Sequence, residues 1–132
     1  MKLLLDTHVW VWSLENPGKL RPRVATALRS GKTELWLSSV SVWETLLLID
    51  RGRLSVRSGT AHAWVQEALQ RVPLREAPVT HAVALASRTI ELDHEDPADR
   101  FLAATARVFD LTLVTSDERL LRGRGYRTLS NA

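Results

Sequence analysis

Apolar residues in this chain fall into two rhythms. "KLLLD" (residues 2–6), "ELWLS" (34–38) and "LTLVT" (111–115) are short strand-like runs, and the first, unbroken until an acid ends it, is the kind expected of a central parallel strand. Elsewhere the spacing is helical. Between Thr60 and Arg71 the apolar positions Ala61, Trp64, Val65, Ala68 and Leu69, continued by Val72, form a 3.6-residue stripe. Helices are also predicted over Thr7–Leu14, broken by "ENPGKL", over "RPRVATALRS" with Pro22 in its first turn and Gly31 closing it, and from Val40 to about Arg51, stopped by Gly52. A helix over Thr80–Arg88 follows a short strand within "PLREAPV". Pro97–Phe109 is the best-defined helix, Asp117 opens a last short one, and "YRTLS" is an edge strand. Strands alternating with helices predict an α/β sandwich around a short, mostly parallel central sheet, with residues 1–132 forming a single domain free of repeats, low-complexity segments and linkers.

Against that frame a few acids look misplaced. Asp6 ends the first strand, Asp117 lies just beyond "LTLVT", and Asp99 falls in the first turn of the best-defined helix. Glu44 lies in the helix after "ELWLS". If Ser39 caps that helix, Glu44 shares the core-facing stripe with Val40, Leu47 and Leu48; if the helix starts two residues later, Ser41 and Glu44 make an S-x-x-E capping box. Each acid also has a local reading as a helix cap, and in "HEDPADRFLA" Asp96 is a good N-cap before Pro97, with Asp99 at N3. Their joint placement is more informative. In an open parallel sheet the strand C-termini and the following helix N-termini share one edge, where ligands bind, and all four acids fall on that edge. Carboxylates meeting there repel unless protons or a cation intervene.

Composition narrows the chemistry. With no cysteine there is neither a disulfide nor a thiolate site, and the reducing cytoplasm is the expected setting. "MKLLLDTHVW" imitates a signal peptide only until Asp6, and no apolar stretch is long enough to span a membrane. His62 and His81 stand in separate helices without partner spacing, while His8 and His94 lie two residues from Asp6 and Asp96 and are read as supporting or solvent-facing. The donor set therefore favours a hard, oxygen-seeking ion, Mg²⁺ or Mn²⁺, rather than zinc. Such an ion, with water in its open positions, suits phosphodiester hydrolysis. There is no G-x-S-x-G, no thiol and no P-loop.

The net charge of +3 conceals a division: Glu91, Asp93, Glu95, Asp96 and Asp99 cluster without a base, whereas Arg119, Arg122, Arg124 and Arg127 follow the last acid, Glu118. A basic chain with an acidic cluster suits a polyanion with a cation between the two, and Arg122, Arg124 and Arg127 are the candidate phosphate contacts. Of the five tryptophans, Trp10, Trp36 and Trp43 fall in segments assigned to the core, and Trp12 and Trp64 are candidates for a surface.

"LLLDTHVWVW", "SSVSVWE", "HEDPADRFLAATA" and "LTLVTSD", in that order, resemble the motifs of the PIN-domain family, and within it the VapC-type toxins of bacterial and archaeal toxin–antitoxin pairs. The resemblance runs from about Lys2 to Leu129 and implies a three-layer PIN-like sandwich. It implies Asp6 and Asp99 as the principal metal ligands, completed by Glu44 and Asp117 directly or through water, with Thr115 and Arg100 in support. It further implies a Mg²⁺- or Mn²⁺-dependent endoribonuclease acting on structured RNA such as tRNA or rRNA, a homodimer, and a small antitoxin whose C-terminal tail blocks the cleft. A dehalogenase-type phosphatase needs a second Asp where His8 stands, and a receiver domain needs an acidic pair and a late lysine that are missing. The rival from another class is a non-catalytic RNA- or protein-binding module whose acids only cap helices.

Overall fold

The computed structural model describes residues 1–57 and 59–132. Five parallel strands form one sheet: β1 (Lys2–Leu5), β2 (Glu34–Ser38), β3 (Arg75–Ala77), β4 (Thr112–Thr115) and β5 (Arg127–Ser130), in the order β3-β2-β1-β4-β5. The helices are α1 (Thr7–Glu15), α2 (Pro22–Arg29), α3 (Ser39–Asp50), α4 (Ala61–Arg71), α5 (His81–Ser87), α6 (Pro97–Val108) and α7 (Glu118–Arg122), with a 3-10 turn at Pro17–Lys19.

Alternation along the strands builds two cores. Leu3, Leu5 and Val114 point to one face, against Val9, Trp10, Val24, Trp64 and Val65; Leu4 and Leu113 point to the other, against Leu102, Ala103, Ala106 and Leu120. This explains the unbroken "LLL": β1 is central and covered on both sides, so neither face tolerates a polar residue. The result is the expected three-layer α/β sandwich.

Some local expectations change. β2 runs straight into α3, whose N-cap is Ser38, its Oγ accepting from Val40 N at 3.0 Å. Ser41 is thus buried inside the helix, and the Ser41–Glu44 capping box does not form. Gly31 sits in the turn after the α2 cap residue Ser30 without a left-handed backbone, whereas Gly52, at φ 71°, does stop α3 that way. Trp64 is buried, packing edge-on to Trp10 with ring centroids 5.8 Å apart, whereas Trp43 is 56% exposed. Each was expected the other way round. The most buried stripe of α3 is Ser41 and Thr45, one turn apart, which turns Trp43 outward.

The connection from the C-terminal end of β1 leads to β2 on one side and that from β4 leads to β5 on the other, so the two leave in opposite directions. That divergence opens a crevice between the ends of β1 and β4. Asp6 and Asp117 stand beside it.

Candidate active site

A cleft of about 410 Å³ opens at this switch point, with Asp6, Glu44, Asp96, Asp99 and Asp117 in its wall beside Ser116 and Arg119, and with His8 and Trp12 along its rim. All four acids singled out from sequence meet here, joined by Asp96.

The carboxylates are held from four helices, α6 carrying two of them. Asp6 caps α1: its Oδ1 accepts from Thr7 N at 2.7 Å, and its Oδ2 accepts from Thr115 Oγ1, at the end of β4, at 2.6 Å. The same threonine hydroxyl accepts from Asp117 N at 3.0 Å. Thr7 Oγ1 donates to Glu44 Oε1 at 2.5 Å, tying the start of α1 to the second turn of α3. Asp96 caps α6, accepting from Ala98 N at 3.0 Å and Asp99 N at 3.3 Å, and Asp117 caps α7 through Arg119 N at 2.8 Å. Asp99 instead pairs its Oδ2 with His94 Nε2 at 2.8 Å. Capping and lining the cleft are therefore compatible for three of the acids, while Glu44 and Asp99 cap nothing.

Burial is the main force on their charge. It pushes the Asp6 carboxyl up against the opposing hydrogen bonds from Thr115 and Thr7. Glu44 rises for the same reason, opposed by Thr7 and assisted by the charges of Asp6 and Asp96. Asp99 is pushed up to about 6 by burial, opposed by the His94 hydrogen bond and reinforced by Asp96, Asp6 and Asp117. For Asp117 partial burial is outweighed by Arg119, whose hydrogen bonds and charge bring the carboxyl below its usual range. Arg119 Nη2 lies 3.3 Å from Asp117 Oδ2 and 4.0 Å from Asp99 Oδ2, the one guanidinium in the cleft wall among the described residues.

The supporting residues divide. Thr115 is in the site. Arg100 is buried and faces away from the cleft, donating to the carbonyls of Ser87 (2.8 Å), Leu92 (2.9 Å), Ile90 (3.1 Å) and His94 (3.1 Å). Its contribution is to fix the loop that carries His94. Arg127 begins β5 opposite Thr112, at the far edge of the sheet from the acids, and pairs with Asp110 at 2.9 Å. Arg122 and Arg124 border a separate cavity with Glu91 and Asp93. The three arginines proposed for phosphate contact are thus not in the cleft, and Arg119 is.

Sequence reasoning passed over Thr7, Asp96 and Arg119 as site members, and left His94 between a supporting and a solvent-facing role. For Thr7 and Arg119 the signal was adjacency to a chosen acid, one residue after Asp6 and two after Asp117. A second cavity of about 400 Å³ includes Glu15, Arg57 and Trp64, and there Glu15 is fully engaged, accepting from Arg57 N at 3.0 Å and Trp64 Nε1 at 3.1 Å. It is a structural tie.

Comparison with known proteins gives the family. The family model described as PIN domain matches residues 3–125. The chain is 30% identical over 129 residues to Ribonuclease VapC22 of Mycobacterium tuberculosis, covering 97% of this chain and 96% of that protein. Among solved structures it resembles VapBC2 from Rickettsia felis bound to a promoter DNA fragment, with TM-score 0.72 at 15% identity over 98% of both chains. It also resembles DNA-bound VapBC from Salmonella typhimurium, with TM-score 0.66 at 18% identity over 100% of this chain and 99% of that one. The chain belongs to the PIN-domain family.

Proposed function

We propose that this protein is a Mg²⁺- or Mn²⁺-dependent endoribonuclease acting as the toxin of a toxin–antitoxin pair in the cytoplasm. One observation carries the reading: Asp6, Glu44, Asp99 and Asp117, scattered from one end of the chain to the other, meet in one cleft, three of them pushed upward by burial. A fold does not gather buried acids at the switch point of its sheet for stability's sake. The near end-to-end relation to a protein named as a ribonuclease supports RNA as substrate. The VapBC complexes among the structural relatives support a cognate antitoxin as partner. A homodimer belongs to the same reading.

The donor set fits the ion. Every candidate ligand is a carboxylate oxygen, the chemistry Mg²⁺ and Mn²⁺ prefer. Among the described residues no three Asp, Glu or His side chains stand close enough to share one ion directly. Mg²⁺ keeps several waters and takes only one or two carboxylates itself. Asp6 and Asp99 would hold it, with Glu44 and Asp117 reaching it through water. Bound there, the ion supplies a water of lowered pKa and positive charge against the phosphoryl and leaving oxygens.

The chain's own residues prepare that chemistry. Thr115 and the Thr7 amide fix both oxygens of Asp6, Thr7 Oγ1 fixes Glu44, and His94 holds one oxygen of Asp99. Arg119, half-exposed among the acids, is the cation placed to meet a substrate phosphate. The rival reading, a binding module whose acids cap helices, accounts for Asp6, Asp96 and Asp117 but not for Glu44 and Asp99. The test incubates mixed RNA with the purified protein in Mn²⁺, in EDTA, and with the Asp6→Asn variant in Mn²⁺. Cleavage in the first tube alone supports the nuclease; intact RNA bound in all three supports the module.

A further inference from the structure

The rim of the cleft at α1 is constructed as carefully as its floor. α1 places His8 and Trp12 one turn apart on the face that borders the acids, with ring centroids 5.6 Å apart. Trp10 and Val11 of the same helix are buried in the core, whereas Trp12 is only half-buried, its indole reaching the cleft. Lys19, from the 3-10 turn that follows, sets its Nζ over the Trp12 ring, 5.2 Å from the centroid.

A single buried amide holds that turn in place. Asn131, 5% exposed, donates from Nδ2 to the Lys19 carbonyl at 3.2 Å and to Ser116 Oγ at 2.9 Å, and its Oδ1 accepts from Arg21 N at 2.7 Å. The segment bearing Lys19 is thereby pinned to the loop bearing Ser116 and Asp117. An indole at the mouth of a carboxylate cleft thus carries an ammonium over its ring, on a backbone segment held to the loop of the acids.

We propose that Trp12, flanked by His8 and Lys19, is a nucleobase subsite: an unpaired base of the RNA stacks on the indole while Lys19 meets an adjacent phosphate. The proposal rests on RNA being the substrate. Charge favours this occupant. A polyanion must be drawn past the acids by nearby cations, and Lys19, over the Trp12 ring, and Arg119, in the cleft wall, supply them. Stacking on an indole accepts every base, so the subsite selects unpaired RNA rather than a sequence.

Parent, Trp12→Leu, Trp12→Phe and Lys19→Gln are compared for cleavage of short single-stranded oligo(U), oligo(A) and mixed-sequence RNA in Mn²⁺ across a salt series. Trp12→Leu, which keeps apolar cover but loses the π face, should raise KM by roughly 5- to 150-fold on all three RNAs, with kcat within a few-fold. Trp12→Phe should recover most of the loss. Lys19→Gln should reduce the slope of log KM against log salt by about 0.7, the value of one phosphate contact on a single strand. It carries the test if an indole variant does not fold, and an unchanged slope then overturns the proposal. An unchanged KM in Trp12→Leu, or a loss confined to kcat, overturns the subsite and leaves the nuclease standing. If the parent cleaves nothing, the nuclease reading fails instead. Anisotropy binding of the same RNAs then decides the subsite, weaker binding by Trp12→Leu supporting it and equal binding overturning it.

Discussion

Thr115 Oγ1 donates to Asp6 Oδ2 at 2.6 Å while accepting from the Asp117 amide at 3.0 Å, so one buried hydroxyl aligns two acids from opposite ends of the chain. Thr115→Val preserves shape and deletes only this link. Loss of a hydrogen bond to a charged, buried group should cost about 1.5–3 kcal/mol near pH 7.5 and push the Asp6 carboxyl up further. Thr115→Ser should retain most of the stability. Urea unfolding in EDTA measures both, and a valine variant as stable as the parent would mean that Asp6 does not depend on this contact.

Asp99 gives the cluster a pH dependence of definite sign. Its carboxyl lies at about 6 in the fold, above an ordinary value of 3.8. The folded state therefore keeps a proton that the unfolded chain has released, and this stabilisation, full below about pH 4, is lost as pH rises through about 6. Asp6 and Glu44 act in the same direction. In EDTA at pH 7.5 Asp99→Asn should melt higher than the parent, and the gap should close as pH falls below 4. Added Mg²⁺ or Mn²⁺ should raise the parent's Tm more than the variant's. A variant that melts lower in EDTA, beside a parent indifferent to metal, would reduce Asp99 to a helix-start residue.

Arg100 and His94 act on Asp99 in series. Arg100 satisfies four backbone carbonyls, one of them that of His94, so Arg100→Lys leaves several unpaired and should cost about 3 kcal/mol or more. His94→Ala should leave the fold largely intact but remove the donor that restrains Asp99, raising its carboxyl above about 6. The acid limb of the rate–pH profile should move upward accordingly. A profile unmoved by His94→Ala would show that the pair has no bearing on the reaction.

The arginines separate by position. Arg119→Gln should weaken RNA binding and flatten its salt dependence, whereas Arg127→Gln, at the far edge of the sheet, should change neither. Filter binding across a salt series distinguishes them. Equal losses in both variants would mean that RNA extends well beyond the cleft.

Most of the architecture was readable because its signals are local. "LLL" ended by Asp6, Pro97 after Asp96 and the Thr60–Arg71 stripe each report their own element, and the strand-end position of the acids follows from the order of elements. Long-range facts were hidden. That Thr7 reaches Glu44, that Asn131 pins Lys19, and that Arg127 begins its strand far from the acids depend on how β1 sits between β2 and β4. Trp43 and Trp64 were misassigned for different reasons: α3 buries Ser41 and Thr45 in preference to its larger neighbours, and Trp64 follows the apolar stripe of α4 into the core.

The proposed hydrolysis by this protein requires a cation held by the carboxylates. The most direct measurement titrates Mn²⁺ into a single preparation, following bound Mn²⁺ by electron paramagnetic resonance and RNA cleavage in parallel. The two curves should rise together for the parent, and both should be lost in Asp6→Asn while its fold persists. Cleavage at full rate in EDTA, or Mn²⁺ bound as tightly by Asp6→Asn as by the parent, would contradict that requirement.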